Sequence, residues 1–74
     1  MGQLFVMGRQ GDTKMSWDPY KPEEVEAARR TFEDLRKQHY LAFRVRGSGD
    51  KGEQISAFDR FAEKLILAPP MQGG

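Results

Sequence analysis

The residues whose type and position most suggest chemistry are Gly73 and Gly74, the last two of the 74-residue sequence. A carboxylate that follows two glycines has no bulky side chain beside it, so it can enter a narrow site in another protein. There it could be adenylated with ATP and transferred as an acyl group. Pro69 and Pro70 precede this segment and favour an extended exit from the folded part. The pattern predicts a reactive carboxyl end at Gly74, and the alternative is a frayed terminus without a role.

A second chemical pattern lies in residues 47–52, which read Gly-Ser-Gly-Asp-Lys-Gly and match the GxGxxG of dinucleotide sites. Such a site needs the glycine turn to open a helix inside a parallel βαβ unit, and no long helical pattern follows here. Glu53 stands where a phosphate-binding P-loop requires lysine. The segment therefore indicates a polar loop between two strands.

The chain has one histidine, His39, and no cysteine. A structural zinc site would lack ligands, and no paired nucleophile or second histidine could form a relay with His39. We therefore expect no catalytic residue, no metal and no cofactor bound by this chain. A structural role for His39 at a helix carboxyl end, where a cation is favourable, is the simpler interpretation.

Composition sets the class of protein. The chain has 38% apolar residues and a formal net charge of +1, from 12 basic and 11 acidic residues. No apolar run approaches the roughly 18 residues of a membrane helix, and no signal-peptide pattern opens the sequence. A patch containing Arg44 and Arg46 lacks the aromatic set that nucleic-acid binding uses. We expect one small cytoplasmic domain, monomeric alone, that binds neither membrane nor nucleic acid.

The elements that must position these residues begin with a hairpin over residues 3–17. Residues 4–7 form an apolar run, Gly11 and Asp12 offer a tight turn, and residues 13–17 return as a second strand. A helix follows over about residues 22–39, because Pro22 suits a first helical position. Its apolar stripe comprises Val25, Ala28, Phe32 and Leu35.

The helix also carries charge patterns that stabilise it. Acidic residues crowd its amino end, and favourable pairs are predicted for Glu26–Arg30 and Glu33–Lys37. A clean strand follows over residues 41–45, then a short strand over residues 54–58. A turn or one helical turn is predicted from Asp59 to Lys64. Residues 65–68 form a fully apolar last strand, which suggests a central place in the sheet.

The order β-β-α-β-(β)-β predicts an α+β fold in which one helix covers one face of a mixed sheet. The last strand fits beside the first in the middle of that sheet. We expect seven side chains to point at the helix: Leu4, Val6, Leu41, Phe43, Val45, Leu65 and Leu67.

Two segments carry a family resemblance. The ending Leu-Ile-Leu-Ala-Pro-Pro-Met-Gln-Gly-Gly resembles that of the small sulfur-carrier proteins of molybdopterin and thiamine synthesis, the molybdopterin type more closely. The opening Gln-Leu-Phe-Val-Met-Gly-Arg-Gln-Gly-Asp-Thr-Lys is similar to the first hairpin of ubiquitin. The resemblance implies a ubiquitin-like β-grasp domain over residues 1–70 and a Gly-Gly tail over residues 71–74.

The resemblance also implies a function. In this family an activating enzyme adenylates the terminal glycine, matched here by Gly74, and the enzyme uses ATP and Mg²⁺. The acyl group then becomes a thioester passed to a target lysine or a thiocarboxylate that donates sulfur to an accepting protein. Ubiquitin's basic tail is absent, which favours a carrier or a distinct modifier.

The expected function is therefore a protein modifier joined by an isopeptide bond. A sulfur carrier for cofactor biosynthesis or tRNA thiolation is the first alternative, and an interaction module or viral accessory protein without terminal chemistry is the second. The resemblance assigns a partner-binding surface to the open sheet face: Phe5, Met7, Ala42, Arg44, Arg46, Ile66 and Ala68. If the chain is conjugated to copies of itself, the acceptor sites are Lys14, Lys21, Lys37, Lys51 and Lys64.

Overall fold

A computed structural model describes residues 1–8, 11–47 and 52–70. Five strands and one helix occur in these ranges. They are β1 (Gly2–Gly8), β2 (Gly11–Trp17), α1 (Pro22–Lys37), β3 (Leu41–Val45), β4 (Glu53–Ile55) and β5 (Lys64–Ala68).

The strands form one mixed sheet in the order β2-β1-β5-β3-β4. β5 lies at its centre, parallel to β1 and antiparallel to β3, and Leu65 and Leu67 on β5 are fully buried. The helix α1 packs on one face. The predicted α+β class with a central last strand is confirmed, because an apolar strand is most stable where both of its edges are paired.

The hairpin is confirmed, but its turn was predicted in the wrong place. The β1–β2 pairing runs from Gly2 opposite Trp17 to Gly8 opposite Gly11. Gly11 and Asp12 therefore belong to β2, and the connection falls on residues 9–10, outside the described residues. Gly11 begins β2 at a φ of 132°, a conformation that other residues rarely adopt.

The core lies between the helix and the sheet. The predicted helical stripe is confirmed, because Ala28 and Phe32 are fully buried and Val25 and Leu35 pack against the same cluster. Phe58, from the segment between β4 and β5, places its ring 5.2 Å from that of Trp17 and 5.7 Å from that of Phe32. The buried members are Leu4, Trp17, Ala28, Phe32, Ala42, Ala62, Leu65 and Leu67.

The face assignment of β3 was wrong. Ala42 pairs with Leu67 and is fully buried, so it faces the helix. Arg44 pairs with Leu65 and lies on the same face. The larger side chains of β3 consequently point away from the helix: Leu41, Phe43 and Val45. Alternation fixes which residues share a face, but the covered face depends on the space that the helix leaves.

The helix ends two residues before the predicted position. His39 lies beyond it at a φ of 70°, and its N–H donates to the Arg36 carbonyl while that of Tyr40 donates to the Leu35 carbonyl. This is a Schellman motif in which histidine occupies the usual glycine position.

The predicted helical ion pairs are confirmed in one case. Arg30 pairs with Glu26 at 3.4 Å. Glu33, however, pairs with Arg29 at 2.8 Å rather than with Lys37. Arg29 lies one turn before Glu33 and also bonds Glu26, so it joins both carboxylates on one side of the helix.

The segment after β3 is less regular than predicted. β4 covers Glu53–Ile55 instead of residues 54–58, because Phe58 packs into the core next to Trp17. The turn at Asp59 is confirmed, since its carbonyl accepts a bond from the Ala62 N–H at 3.1 Å. Within the described part of the chain, no helix is long and apolar enough to span a membrane.

Candidate functional site

The face of the sheet opposite the helix is a candidate surface, and we call it the open face. Side chains alternate along each strand and paired residues share a face, so the register divides the open face into three rows across the strands. The tail-proximal row holds Asp12, Met7, Ala68 and Leu41. The middle row holds Lys14, Phe5, Ile66, Phe43 and Gln54. The tail-distal row holds Ser16, Gln3, Lys64 and Val45.

The tail-proximal row presents accessible apolar side chains beside Asp12. Met7 is 49% exposed and Leu41 is 37% exposed. Ala68 pairs with Leu41 and is the last residue of β5, directly before Pro69 and Pro70. For a protein that binds the chain after Pro70, this row is therefore the nearest part of the open face.

The middle of the open face carries positive charge over an aromatic ring. The ammonium of Lys64 lies 4.9 Å from the centre of the Phe5 ring, and that of Lys14 lies 5.6 Å from it. Cation–π contacts of this length are favourable. Neither lysine forms a salt bridge with a described residue. Both ammonium groups therefore remain able to pair with carboxylates from outside the chain.

The seven residues assigned to the partner surface separate into three groups. Four of them lie on the open face: Phe5, Met7, Ile66 and Ala68. Ala42 and Arg44 lie on the helix side, which corrects their predicted placement. Arg46 is exposed and follows the end of β3.

Sequence reasoning missed the residues of β3 on the open face, namely Leu41, Phe43 and Val45. The available signal was the size of Ala42. Ala42 is fully buried, and a small side chain needs little space in a close-packed core.

The side chain of Arg44 is largely buried and ion-paired, and it does not face solvent. Its guanidinium donates to Glu53 at 2.6 Å and to Asp59 at 2.8 Å, and only 20% of its side chain is exposed. The hydrogen bond from Arg44 lowers the pKa of Glu53. Burial raises the pKa of Asp59, but bonds from Arg44 and from the Phe61 N–H outweigh it, and the net shift is downward. The network joins β3, β4 and the turn before β5.

The predicted acceptor lysines occupy different surroundings. Lys37 is exposed at the end of α1, Lys21 lies 3.7 Å from Glu24, and Lys14 and Lys64 lie on the open face. Lys51 falls outside the described residues.

The terminal Gly73 and Gly74 also lie outside the described residues, as do residues 48–51 of the GxGxxG segment. Among the residues that the structure describes, no three histidine, aspartate or glutamate side chains come together as a metal site. No protein-family model, curated protein or solved structure matches the chain, so a functional interpretation rests on its own residues and geometry.

Proposed function

We propose that the chain is a ubiquitin-like β-grasp protein whose Gly74 carboxylate is adenylated by an activating enzyme and then joined to a target protein. The activating enzyme supplies the ATP and Mg²⁺ chemistry. The observation that carries the proposal is the strand order β2-β1-β5-β3-β4 with a single helix on one face, since it is compatible with a β-grasp and sends the central strand towards the tail.

The central position of β5 should keep the fold intact when another protein binds the end of the chain. β5 pairs with β1 on one side and with β3 on the other, and it buries Leu65 and Leu67. A force that another protein exerts on the tail therefore acts on β5, which two sets of backbone hydrogen bonds and the core hold in place. An edge strand would separate from the sheet more easily, because it has only one paired neighbour.

The open face supplies the surface that an activating enzyme requires. Its tail-proximal row offers Met7 and Leu41 as apolar contacts beside the start of the tail. Lys14 and Lys64 offer cations in the rows behind it. The matching enzyme surface is apolar next to its nucleotide site and acidic farther away, because opposite charges both guide and orient binding.

A sulfur carrier uses the same carboxylate, and the non-basic tail sequence after Ala68 favours it as the second candidate. In a modifier the Gly74 carbonyl forms an amide with a target lysine. In a sulfur carrier one carboxylate oxygen is replaced by sulfur, and the protein is released unchanged in length after transfer. The two candidates therefore differ in the product that accumulates.

The experiment compares amino-terminally tagged wild-type protein with a variant lacking Gly74, both expressed in the host and separated under denaturing conditions. We expect tagged adducts of higher mass for the wild type and none for the deletion variant. Met71→Ala is the matched control, since it changes the tail without removing the reactive carboxylate, and it should retain the adducts.

Two experimental outcomes would contradict the proposal. If the wild type forms no adduct and intact mass shows sulfur in place of oxygen, the protein is a sulfur carrier. If neither product forms and deletion of Gly73 and Gly74 leaves the cellular role intact, the chain is an interaction module and its terminal glycines have no chemistry.

A further inference from the structure

A second surface lies away from the open face and consists of Tyr20, Arg60 and Phe61, which we call the aromatic patch. Tyr20 is 78% exposed and Phe61 is 62% exposed. Their ring centres are 6.3 Å apart at an angle of 62°, and the Arg60 guanidinium lies 4.9 Å from the centre of the Phe61 ring. Two exposed aromatic rings with an arginine form the kind of side-chain set that dominates the energy of protein interfaces.

The backbone beneath the aromatic patch is held by side chains. The buried Trp17 donates its indole N–H to the Arg60 carbonyl at 2.9 Å. Asp59 accepts a bond from the Phe61 N–H at 3.0 Å, and Asp18 accepts one from the Tyr20 N–H at 2.9 Å. Because both turns are already fixed, little backbone entropy remains to be lost when a partner binds.

The aromatic patch contains a single charged side chain, Arg60, and hydrogen bonds hold three carboxylates of the adjoining segments. The carboxylates of Asp18, Glu24 and Asp59 are already engaged by backbone N–H groups of the two turns. Asp59 and Glu24 also pair with Arg44 and Lys21. Arg60, by contrast, forms no salt bridge with any residue in the described ranges. Its guanidinium is the charged donor that the aromatic patch leaves available to a carboxylate.

The position of the aromatic patch separates it from the tail. Tyr20 follows the end of β2, where Trp17 pairs with Gly2 at the start of β1. β5 runs parallel to β1, so Phe61 lies before the same end of the sheet and the tail leaves from the other. The five residues of β5 alone span about 13 Å. A partner can therefore occupy the aromatic patch while another protein holds the tail.

We propose that Tyr20, Arg60 and Phe61 form a docking surface for an acidic peptide segment that carries an aromatic or aliphatic side chain. The apolar side chain of the segment packs against the two rings, and a flanking carboxylate pairs with Arg60. This surface is independent of the chemistry proposed for Gly74.

The test is an NMR titration of the full-length protein with the peptide Asp-Glu-Phe-Asp-Glu, and with Lys-Arg-Phe-Lys-Arg as the charge-reversed probe. We expect the acidic peptide to shift the amide signals of Tyr20, Arg60 and Phe61 at concentrations below about 2 mM, and the basic peptide to leave them unchanged. Deleting Gly73 and Gly74 should not alter binding, which separates this proposal from that for the tail.

Single substitutions test which side chains contribute to binding of the acidic peptide. Arg60→Glu and Phe61→Ala should each weaken binding at least about tenfold. Arg30→Glu is the matched control elsewhere on the surface, and it should bind like the wild type. Dispersed amide signals will show that each variant is folded.

The proposal is overturned if the acidic peptide shifts only signals on the open face, if both peptides shift the aromatic patch equally, or if neither shifts it up to about 2 mM. Wild-type affinity in folded Arg60→Glu would also overturn it.

Discussion

Arg44 shows at the residue scale how a charged side chain is placed on the helix side of the sheet. It is only 20% exposed, and its guanidinium is matched by Glu53 and Asp59 at the sheet edge. A charge in such a position is tolerated when carboxylates pair with it, and it then fixes the segments that supply them. Arg44 therefore contributes to the fold, while the open face keeps its apolar surface.

This network predicts a pH dependence of stability. The folded-state pKa values of Glu53 and Asp59 are lowered, so the unfolded chain takes up protons first as the pH falls. The contribution is complete above the unfolded pKa values of about 4 and is lost as the pH falls through the folded ones. We expect Asp59→Asn to be less stable than the wild type at pH 7 and to lose less stability on acidification. Urea unfolding between pH 7 and 3 measures both effects.

The control for that experiment is Asp12→Asn, which removes an exposed carboxylate on β2 that forms no salt bridge within the described residues. It should retain the wild-type pH dependence. An Asp59→Asn variant with the same acid sensitivity as the wild type would contradict the assignment.

Gly2 is a second single-residue test. A Cβ atom at this position would overlap the indole of Trp17 and lie 2.7 Å from its Cη2 atom. Because Trp17 is fully buried and bonded to Arg60, it has little room to move. We expect Gly2→Ala to lower the free energy of unfolding by about 1–3 kcal/mol, measured by urea unfolding. Ser16→Ala on exposed β2 is the control, and equal stability of the two variants would show that the indole can shift.

At the scale of the element, the end of α1 contains a residue in an unfavourable conformation. His39 has a φ of 70°, where glycine is preferred, and it completes the Schellman motif. We expect His39→Gly to raise the free energy of unfolding by about 0.5–1 kcal/mol. Gln38→Gly is the matched control one residue earlier, where φ is −89°, and it should be neutral or destabilising. A destabilised His39→Gly protein would indicate that the imidazole makes a compensating contact.

The elements themselves were largely predictable, because each is encoded locally. The stripe through Ala28 and Phe32 indicated the helix, and the apolar run through Leu65 and Leu67 indicated a central strand. The face of β3 was not predictable in the same way, because alternation alone does not determine which of its two faces is buried. The exact hairpin turn was missed because Gly11 is typical of a turn yet starts β2 in this structure.

At the scale of the whole molecule, the open face and the tail are predicted to act together. Met7→Asp puts a charge into the tail-proximal row at a position that is 49% exposed. We expect the free energy of unfolding to change by less than about 1 kcal/mol, since the site is on the surface. Formation of tail-dependent adducts should fall at least about tenfold, because the charge is placed where we propose that the activating enzyme makes apolar contact.

Ser16→Asp is the control for that variant, because it introduces the same charge in the tail-distal row of the same face. Its adducts should form at the wild-type level. An equal loss of adducts in both variants would mean that a negative charge anywhere on the open face prevents adduct formation. Wild-type adduct levels in Met7→Asp would show that the open face has no part in the proposed function.

The part of the open face on β1 and β5 was predicted from strand alternation, together with the resemblance that assigned this face to a partner. Phe5, Met7, Ile66 and Ala68 were placed on the open face by their positions in strands of clear pattern. The aromatic patch was not foreseen, because Tyr20 and Phe61 are far apart in sequence and come together only in the folded chain, where Trp17 also bonds Arg60. Contacts between turns of this kind depend on the completed fold.

The central claim is that the Gly74 carboxylate is chemically used, and mass spectrometry of the protein from its host tests it most directly. Trypsin cuts after Lys64 and at no later position, so the terminal segment is released as residues 65–74. A modifier predicts this segment attached through the Gly74 carbonyl to lysines of other proteins, and a sulfur carrier predicts it with sulfur replacing one oxygen. Recovery of the segment only as a free, unmodified carboxylate, or as part of a longer chain that continues past Gly74, would contradict the claim.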